Sequence, residues 1–338
     1  MDLAILAEAV TRRFRDDAGK YGLVPSAVRA TYVLNPGGFA HPSFTISDGA
    51  RSLHLKLDGG GALELARWRQ LAPLLEERYR APQMLDWIEL GPHAGALFEH
   101  LDGRPPDFGR EGELLRACVE LLGRLHADEE VAAELPDGGT CADHFCGWYI
   151  DCCRSDLDEL PEIGALVGAP TAAWMRDEID ALEAEVRATP AFTAPAHSPV
   201  HSDLWDHNVI VRPDGEWFVI DWDDLRRGDP MLDLAILLWR VPGAEAFVSA
   251  LMPAERERFV LCQRGQLLSE VVDSLADHVE ARRVPEHAEA VRAAKWRVHV
   301  EALREYRYGC PATSACAAAA ARPFRSPFGR RGGGNIER

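Results

Sequence analysis

Three polar residues in the second half of the chain carry its most specific chemistry: Asp203, Asn208 and Asp221. They stand in His201-Ser-Asp-Leu-Trp-Asp-His-Asn208 and in Val219-Ile-Asp221-Trp-Asp-Asp224. Asn208-Val-Ile-Val211 and Trp217-Phe-Val-Ile220 alternate as short strands do, and Pro213-Asp-Gly215 between them is a turn, so the segment predicts a two-strand hairpin. The open end of such a hairpin places Asn208 beside Asp221, with Asp203 on the loop leading in. Two carboxylates and an amide carbonyl then share one small volume. Carboxylates that close repel, so the site calls for a divalent cation, and oxygen-only ligands favour magnesium.

An aspartate, then an asparagine, then a strand-end aspartate is the layout by which kinase-type phosphoryl transfer orients a hydroxyl and holds its metals. The pattern H-x-D-x-x-x-x-N followed by I-D-W-D resembles the aminoglycoside phosphotransferase family of small-molecule kinases more than it resembles protein kinases. The distinguishing marks are Asp221-Trp222 in place of Asp-Phe-Gly, and Gly228-Asp-Pro-Met-Leu-Asp233-Leu-Ala235 shortly behind. The resemblance covers roughly residues 25–300, and its highly specific part is 201–233. It implies an α+β, protein-kinase-like two-lobed fold, with a small five-stranded antiparallel sheet lobe and a mostly helical large lobe. It also implies roles. Asp203 accepts or orients the proton of the acceptor hydroxyl, Asn208 and Asp221 hold magnesium, and Asp233 anchors the catalytic loop. The reaction implied is transfer of the γ-phosphoryl of ATP or GTP to a hydroxyl. His201 reads as a packing and hydrogen-bonding residue of the loop rather than a base.

Lys56 alternates with the apolar positions of Leu53-His-Leu-Lys56-Leu57, and a lysine in a half-buried strand calls for a partner. The resemblance makes it the strand-three lysine that contacts the donor's phosphates and pairs with a helix glutamate. Glu64, near the start of the next helix, is the expected partner; Glu76 and Glu77 fall late in that helix. A first-turn glutamate is equally well explained by the helix dipole. In Asn35-Pro-Gly37-Gly38-Phe39-Ala-His41, Gly37 and Gly38 let backbone amides approach phosphate, although Pro-Gly-Gly is also an ordinary hairpin turn. The family often has Asn where His41 stands. Phe98-Glu99-His100-Leu101 falls in the inter-lobe linker, whose backbone, at Glu99 and Leu101, is implied to hydrogen-bond the purine.

The elements that must position these residues can be read in outline. Residues 1–20 form an amphipathic helix, followed by strands over 28–34, 43–47 and 52–57. A helix over 62–79 carries an apolar stripe through Leu65, Trp68, Leu71 and Leu75. Strands over 84–90 and 96–100 complete an N-terminal nucleotide-binding lobe, 1–100. Beyond the Pro105-Pro106 break the pattern is helical, over 111–126, 142–160, 170–188 and 231–308, with the hairpin between. This is the C-terminal lobe, 101–309. The segment 310–338, rich in Ala, Gly, Pro and Arg, reads as a disordered or loosely attached tail; an ordered extension over the cleft is the alternative.

The bulk numbers narrow the partners. A chain of 338 residues allows two subdomains, and 47% apolar with 27% charged residues is ordinary for a soluble globular protein. A net charge of -17 argues against nucleic acid or anionic membrane as a partner and suits a cationic ligand, though solubility alone would also explain it. Residues 201–233 hold nine acids against three arginines. With the run Asp151, Asp156, Asp158 and Glu159, they fit a cationic acceptor such as an aminoglycoside or a basic peptide antibiotic. Solvated helix surface explains the second run at least as well. A metabolic kinase for a sugar, amino alcohol or fructosamine-type amine is an alternative, as is a non-catalytic nucleotide-binding relative. The N-terminus places acids before its basic residues, the reverse of a secretory signal. The apolar stretch 231–252 is broken by Asp233, Arg240, Pro242 and Glu245, so no membrane span is expected. Eight cysteines are too sparse for a disulfide scaffold, and a reduced, cytoplasmic protein is expected. Cys141, His144, Cys146, Cys152 and Cys153 fit no standard zinc spacing and read as buried helical thiols.

Overall fold

The computed structural model describes residues 3–34, 41–58 and 63–308, without the side chains of Leu63 and Glu64. The expectations for Gly37, Gly38, the Glu64 side chain and the tail 310–338 lie outside the described residues.

Alternation builds the first sheet. In β1 (Arg29–Val33), β2 (Ser43–Ser47), β3 (Ser52–Leu57), β4 (Met84–Leu90) and β5 (His93–Glu99), neighbours pair antiparallel in the order β1-β2-β3-β5-β4. Phe44, Ile46, Leu53, Leu55 and Leu57 point to one face, where they bury against Leu6, Val10 and Phe14 of the Leu3–Asp16 helix. His54 and Lys56 occupy the alternate positions and so share the opposite face. Lys56 lies in register with Ala96, and the pairing is tight beside it. A Cβ on Gly95 would stand 2.1 Å from the Lys56 carbonyl oxygen, so only glycine admits the contact. The 63–79 helix buries the expected stripe, Leu65, Trp68, Leu71 and Leu75, with the Trp68 ring 4.5 Å from that of Phe98.

The remainder is mostly helical. Its core gathers around the 28-residue helix Pro253–Glu280, which packs on Ala288–Tyr308 and Pro230–Leu237. The helix expected over 142–160 is interrupted. Thr140 and Asp143 form a capping box that starts Cys141–Phe145, a π-helical turn follows at Cys146–Ile150, and Asp151–Glu159 resumes the α-helix. Phe145 and Tyr149 lie against the backbone of Gly265, where a Cβ would fall 2.6 Å from Tyr149. Close contact with a neighbouring helix, invisible in the periodicity, accompanies the wider turn.

Among the described residues, four further short strands follow: β6 (Ser198–Val200), β7 (Val209–Val211), β8 (Trp217–Val219) and β9 (Arg226–Gly228). β7 and β8 form the expected hairpin, closed by Gly215 at φ +88°. The β6–β9 pair was not legible in the sequence. Its residues, Ser-Pro-Val and Arg-Arg-Gly, show no alternation, and their pairing joins segments 28 residues apart. Arg104 and Val211 exchange backbone hydrogen bonds of 3.0 and 2.8 Å, fastening the hairpin to the chain after β5. The Val219 amide donates to the Arg80 carbonyl at 3.0 Å, and the Arg80 guanidinium lies 4.5 Å from the Trp217 ring centre. The hairpin is thus tied to the sheet's helix on one side and to the linker on the other.

Candidate active site

The loop bearing Asp203 is built from two anchors. β6 delivers the chain to His201 and Ser202, whose backbone amides donate to the two carboxylate oxygens of Asp233 at 2.9 and 2.7 Å. Asp233 is fully buried on the Pro230–Leu237 helix. Burial by itself would push its carboxyl up; the hydrogen bond and charge of His126, with the Ser202 amide, outweigh burial and hold it below the usual range. Ser202 takes φ +71°, a left-handed conformation that a serine adopts only under restraint. His201 is the second anchor. Its Nε2 lies 3.0 Å from the Ile220 carbonyl, while its Nδ1 accepts the Asp203 amide at 3.3 Å. Those partners require the proton on Nε2. One imidazole therefore joins the Asp203 loop to the residue before Asp221. Trp222 packs on it at 4.6 Å and donates from Nε1 to Val219 at 2.8 Å.

Asn208 and Asp203 are brought into direct contact. The Asn208 amide nitrogen donates to the Asp203 carbonyl at 2.7 Å and to its Oδ2 at 2.9 Å. With the nitrogen so used, the amide oxygen of Asn208 is the atom left for a cation. The Ile220 amide donates to the Asn208 carbonyl at 2.9 Å, which sets Asn208 beside the start of the Asp221 turn, as the hairpin predicts. Asp221 itself adopts φ +68°.

Lys56 reaches across from β3. Its ammonium pairs with Asp221 and lies 2.9 Å from both oxygens of Asp223. The partners in this state are therefore two aspartates of the 221–224 turn. Burial would lower the Lys56 pKa, and the two carboxylates more than reverse it. Burial likewise opposes ionisation of Asp221, but Lys56 outweighs it and holds Asp221 well below the usual range. Asp223 goes the other way: burial and the charge of Asp221 push it up to about 7 against the pull of Lys56. One lysine cannot neutralise two buried carboxylates. Asp203 is pushed well above the usual range by burial and by Asp221, Asp224 and Asp223. Lys56 thus faces Asp221 and Asp223, with Asp203 close enough to feel both and Asp224 taken up by Arg226, a deficit of positive charge that a divalent cation would correct. No cluster of three His, Cys, Asp or Glu side chains forms a preformed metal cage among the described residues. The Asn208 oxygen and Asp221 are the groups that could hold such a cation.

On the nucleotide side, Glu99 ends β5 with both its amide and its carboxylate engaged by Gln83, at 3.1 and 3.2 Å. Its N–H is spent within the protein and is not free for a base; the linker continues through exposed His100 to half-buried Leu101. His41 Nε2 lies 3.6 Å from Asp223, bringing the end of the glycine loop to the same carboxylate as Lys56. His54 is a residue the sequence reading passed over. It shares the Lys56 face two positions away, and burial, reinforced by the Lys56 charge, pushes it down to about 4, so it is neutral at pH 7. The alternation that singled out Lys56 could have found it. A pocket of about 830 Å³ lies between Gly103, Arg104, Glu111, Val211 and Arg212, and none of Lys56, Asp203, Asn208 or Asp221 lines it.

A second acidic group lies beyond Asp224. Arg226 binds Asp224 and stacks over Trp148 at 4.9 Å. Cys152, exposed, feels the charges of Asp156, Asp224 and Asp273. Burial, then neighbouring carboxylates, push Asp156 up to about 6 and Asp273 up to about 7. Asp273 keeps open surface although protein surrounds it. Lys295 pairs with Asp277 and, with Arg226, brings positive charge to this group. Of the 151–159 run only Asp156 turns inward. Asp151 is exposed, Asp158 pairs with Arg176, and Glu159 accepts from Ser155, so those three are surface acids. Cys141, Cys146 and Cys153 are buried thiols, as expected, and Cys152 is not.

Residues 31–260 match the sequence profile of the phosphotransferase enzyme family (APH). The chain belongs to this family. It is accordingly a phosphotransferase acting on a hydroxyl acceptor, with a kinase-like two-lobed α+β fold. A search of curated proteins found no match. Among solved structures, spectinomycin phosphotransferase APH(9)-Ia, in complex with ADP and spectinomycin, is similar at 14% identity with a TM-score of 0.53, covering 86% of this chain and 92% of that one. A macrolide 2'-phosphotransferase from Brachybacterium faecium shares 19% identity at a TM-score of 0.51, covering 83% and 97%. Choline kinase from Cryptosporidium parvum Iowa II shares 14% at 0.50, covering 88% and 96%. Identities this low establish a common fold, and these proteins differ in acceptor.

Proposed function

We propose that this phosphotransferase is a magnesium-dependent small-molecule kinase, using ATP or GTP, whose acceptor is a hydroxyl-bearing cation such as an aminoglycoside or a basic peptide antibiotic. The observation that supports the acceptor class is a partly compensated acidic group. Beyond Asp224, which pairs with Arg226, and Asp277, which pairs with Lys295, Asp156 and Asp273 have no ion pair of their own, and burial, then neighbouring carboxylates, raise the pKa of both. A bound cation would relieve that repulsion.

The chemistry follows from this chain's own groups. The acceptor hydroxyl meets Asp203, whose carboxylate orients it and takes its proton as the new bond to the γ-phosphorus forms and the bond to the β-phosphate oxygen breaks. Asn208 fixes one Asp203 oxygen, so the other is presented to the acceptor. The Asn208 oxygen and Asp221 hold magnesium, which neutralises the charge on the donor's phosphates when bound. Lys56, released from part of its aspartate pairing, turns to those phosphates. The nucleotide lies between the sheet lobe (1–100) and the helical lobe (101–309), with the base at the Glu99–Leu101 linker. No described helix is long and apolar enough to cross a membrane, and the reading places the activity in the cytoplasm with the nucleotide pool. A metabolic kinase for a sugar, amino alcohol or fructosamine-type amine is the second reading. The extension of the acidic group to Asp156 and Asp273 favours a longer cation.

The test is nucleotide consumption, with magnesium, against a panel of amino sugars, basic peptides, amino alcohols, fructosamine-type amines and neutral sugars. Turnover confined to polycationic members is expected. Turnover only with neutral sugars would overturn the acceptor class. Nucleotide binding without turnover of any acceptor would overturn the kinase reading.

A further inference from the structure

The fully buried carboxylate of Asp233 takes three hydrogen-bond donors, and only two of them belong to the loop it anchors. The third is His126, whose Nε2 lies 2.9 Å from Asp233 Oδ2 across 107 residues of sequence. His126 closes the Gly112–His126 helix, and its side chain is 12% exposed. We propose that His126 is a positioning residue for phosphoryl transfer, acting through Asp233 to fix the loop that carries Asp203. The inference rests on the assignment of Asp203 as the group that orients the acceptor.

The geometry gives His126 a task that no other donor performs. The amides of His201 and Ser202 hang from a loop that must itself be held, since Ser202 sits at φ +71° and its buried hydroxyl has no hydrogen-bond partner. Donors that need anchoring cannot alone orient their anchor. His126 comes from a separate helix whose Leu115, Cys118, Leu121, Leu122 and Leu125 are buried in the main core. It therefore fixes the carboxylate plane from outside the loop. His126 and the His201 amide share Oδ2, so rotation of Asp233 would lengthen the bond to His201. His201 in turn contacts the Asp203 amide and the Ile220 carbonyl, so such a displacement would reach both Asp203 and Asp221. In the sequence His126 reads as a basic residue favoured by the helix C-terminus, and nothing in the spacing links it to position 233.

Three variants separate positioning from stability. His126→Gln retains a donor near the reach of Nε2, His126→Met keeps bulk without a donor, and His126→Asn keeps a donor that is too short. We expect His126→Met to lower kcat by about 10–100-fold, the usual scale for loss of an outer partner of a functional group, with KM for nucleotide and acceptor within about threefold of the parent. His126→Gln should restore kcat to within about threefold, and His126→Asn should behave as His126→Met does. Amide hydrogen exchange gives a readout independent of turnover. The peptide over 200–206 should exchange faster in His126→Met and His126→Asn, at the parental rate in His126→Gln, while β1–β5 stay unchanged in all three. Should His126→Met fail to fold, the Gln and Asn pair carries the comparison. Unchanged exchange at 200–206 would overturn the proposal, as would equal loss of kcat in Gln and Met, or lowered thermal stability with parental kcat. A parent protein that turns over no acceptor would count against the kinase reading, and the exchange result would still decide the role of His126.

Discussion

Asp203 is buried in the field of three other aspartates, and its pKa is pushed up first by burial and then by them. A base must be ionised to accept a proton, so the loop depends on positive charge arriving nearby. Asp203 and Asp221 should consequently fail in different ways. Asp203→Ala is expected to lower kcat by about 10²–10⁴ while leaving nucleotide affinity nearly unchanged. Asp221→Ala is expected to abolish the magnesium-dependent part of nucleotide binding. Steady-state kinetics and nucleotide-induced thermal shifts, with and without magnesium, read the two effects. Equal activity in Asp203→Ala, or an identical magnesium effect in Asp221→Ala, would contradict the division of labour. The residue types at 56, 203, 208 and 221 were legible because strand alternation and a turn are local signals. Asp223 as a partner of Lys56 was not legible, because that pairing spans 167 residues and depends on how sheet and hairpin meet.

At the scale of elements, the phosphate-side lysine is only as well placed as its strand. β3 is clamped between β2 and β5, and the approach beside Lys56 depends on Gly95. Gly95→Ala would set a methyl 2.1 Å from the Lys56 carbonyl and 2.8 Å from Leu57 Cα. Both atoms are backbone and cannot swing aside. The expected cost is about 3 kcal/mol, at the upper end for overpacking, with weakened nucleotide binding, measured by denaturant titration and calorimetry. A neutral result would show that the sheet can open there without loss. The five strands and the long helices were readable from their periods. The β6–β9 pair and the π-helical turn were not, since three-residue strands lack a repeat and the π-turn accompanies close packing against Gly265.

The whole molecule carries a net charge of -17, and the fold concentrates part of it. Asp273 is the measurable case. Its carboxyl is raised to about 7, first by burial and then by Asp277, whereas an unfolded aspartate titrates at about 3.9. Below about pH 4 both states are protonated and the group contributes nothing. As pH rises toward 7 the folded state retains a proton the unfolded state has lost, so stability falls, and the full penalty is present above that. Asp273→Asn removes the penalty. Its melting temperature should exceed the parent's at about pH 8, with the difference vanishing toward about pH 4. A saturating cationic acceptor should narrow the difference at the higher pH. A difference independent of pH would remove Asp273 from the charge balance.

By itself the sequence determined the reaction class and the lobe plan, because each rests on short-range order: a hairpin with fixed spacings, strands of period two, helices with one apolar stripe. Tertiary structure decided which charges meet. It paired Lys56 with Asp221 and Asp223, turned Asp156 inward while leaving Asp151 and Asp158 outside, and brought His126 to Asp233. Electrostatic interaction depends on separation and burial in space, and neither is encoded at fixed offsets along the chain.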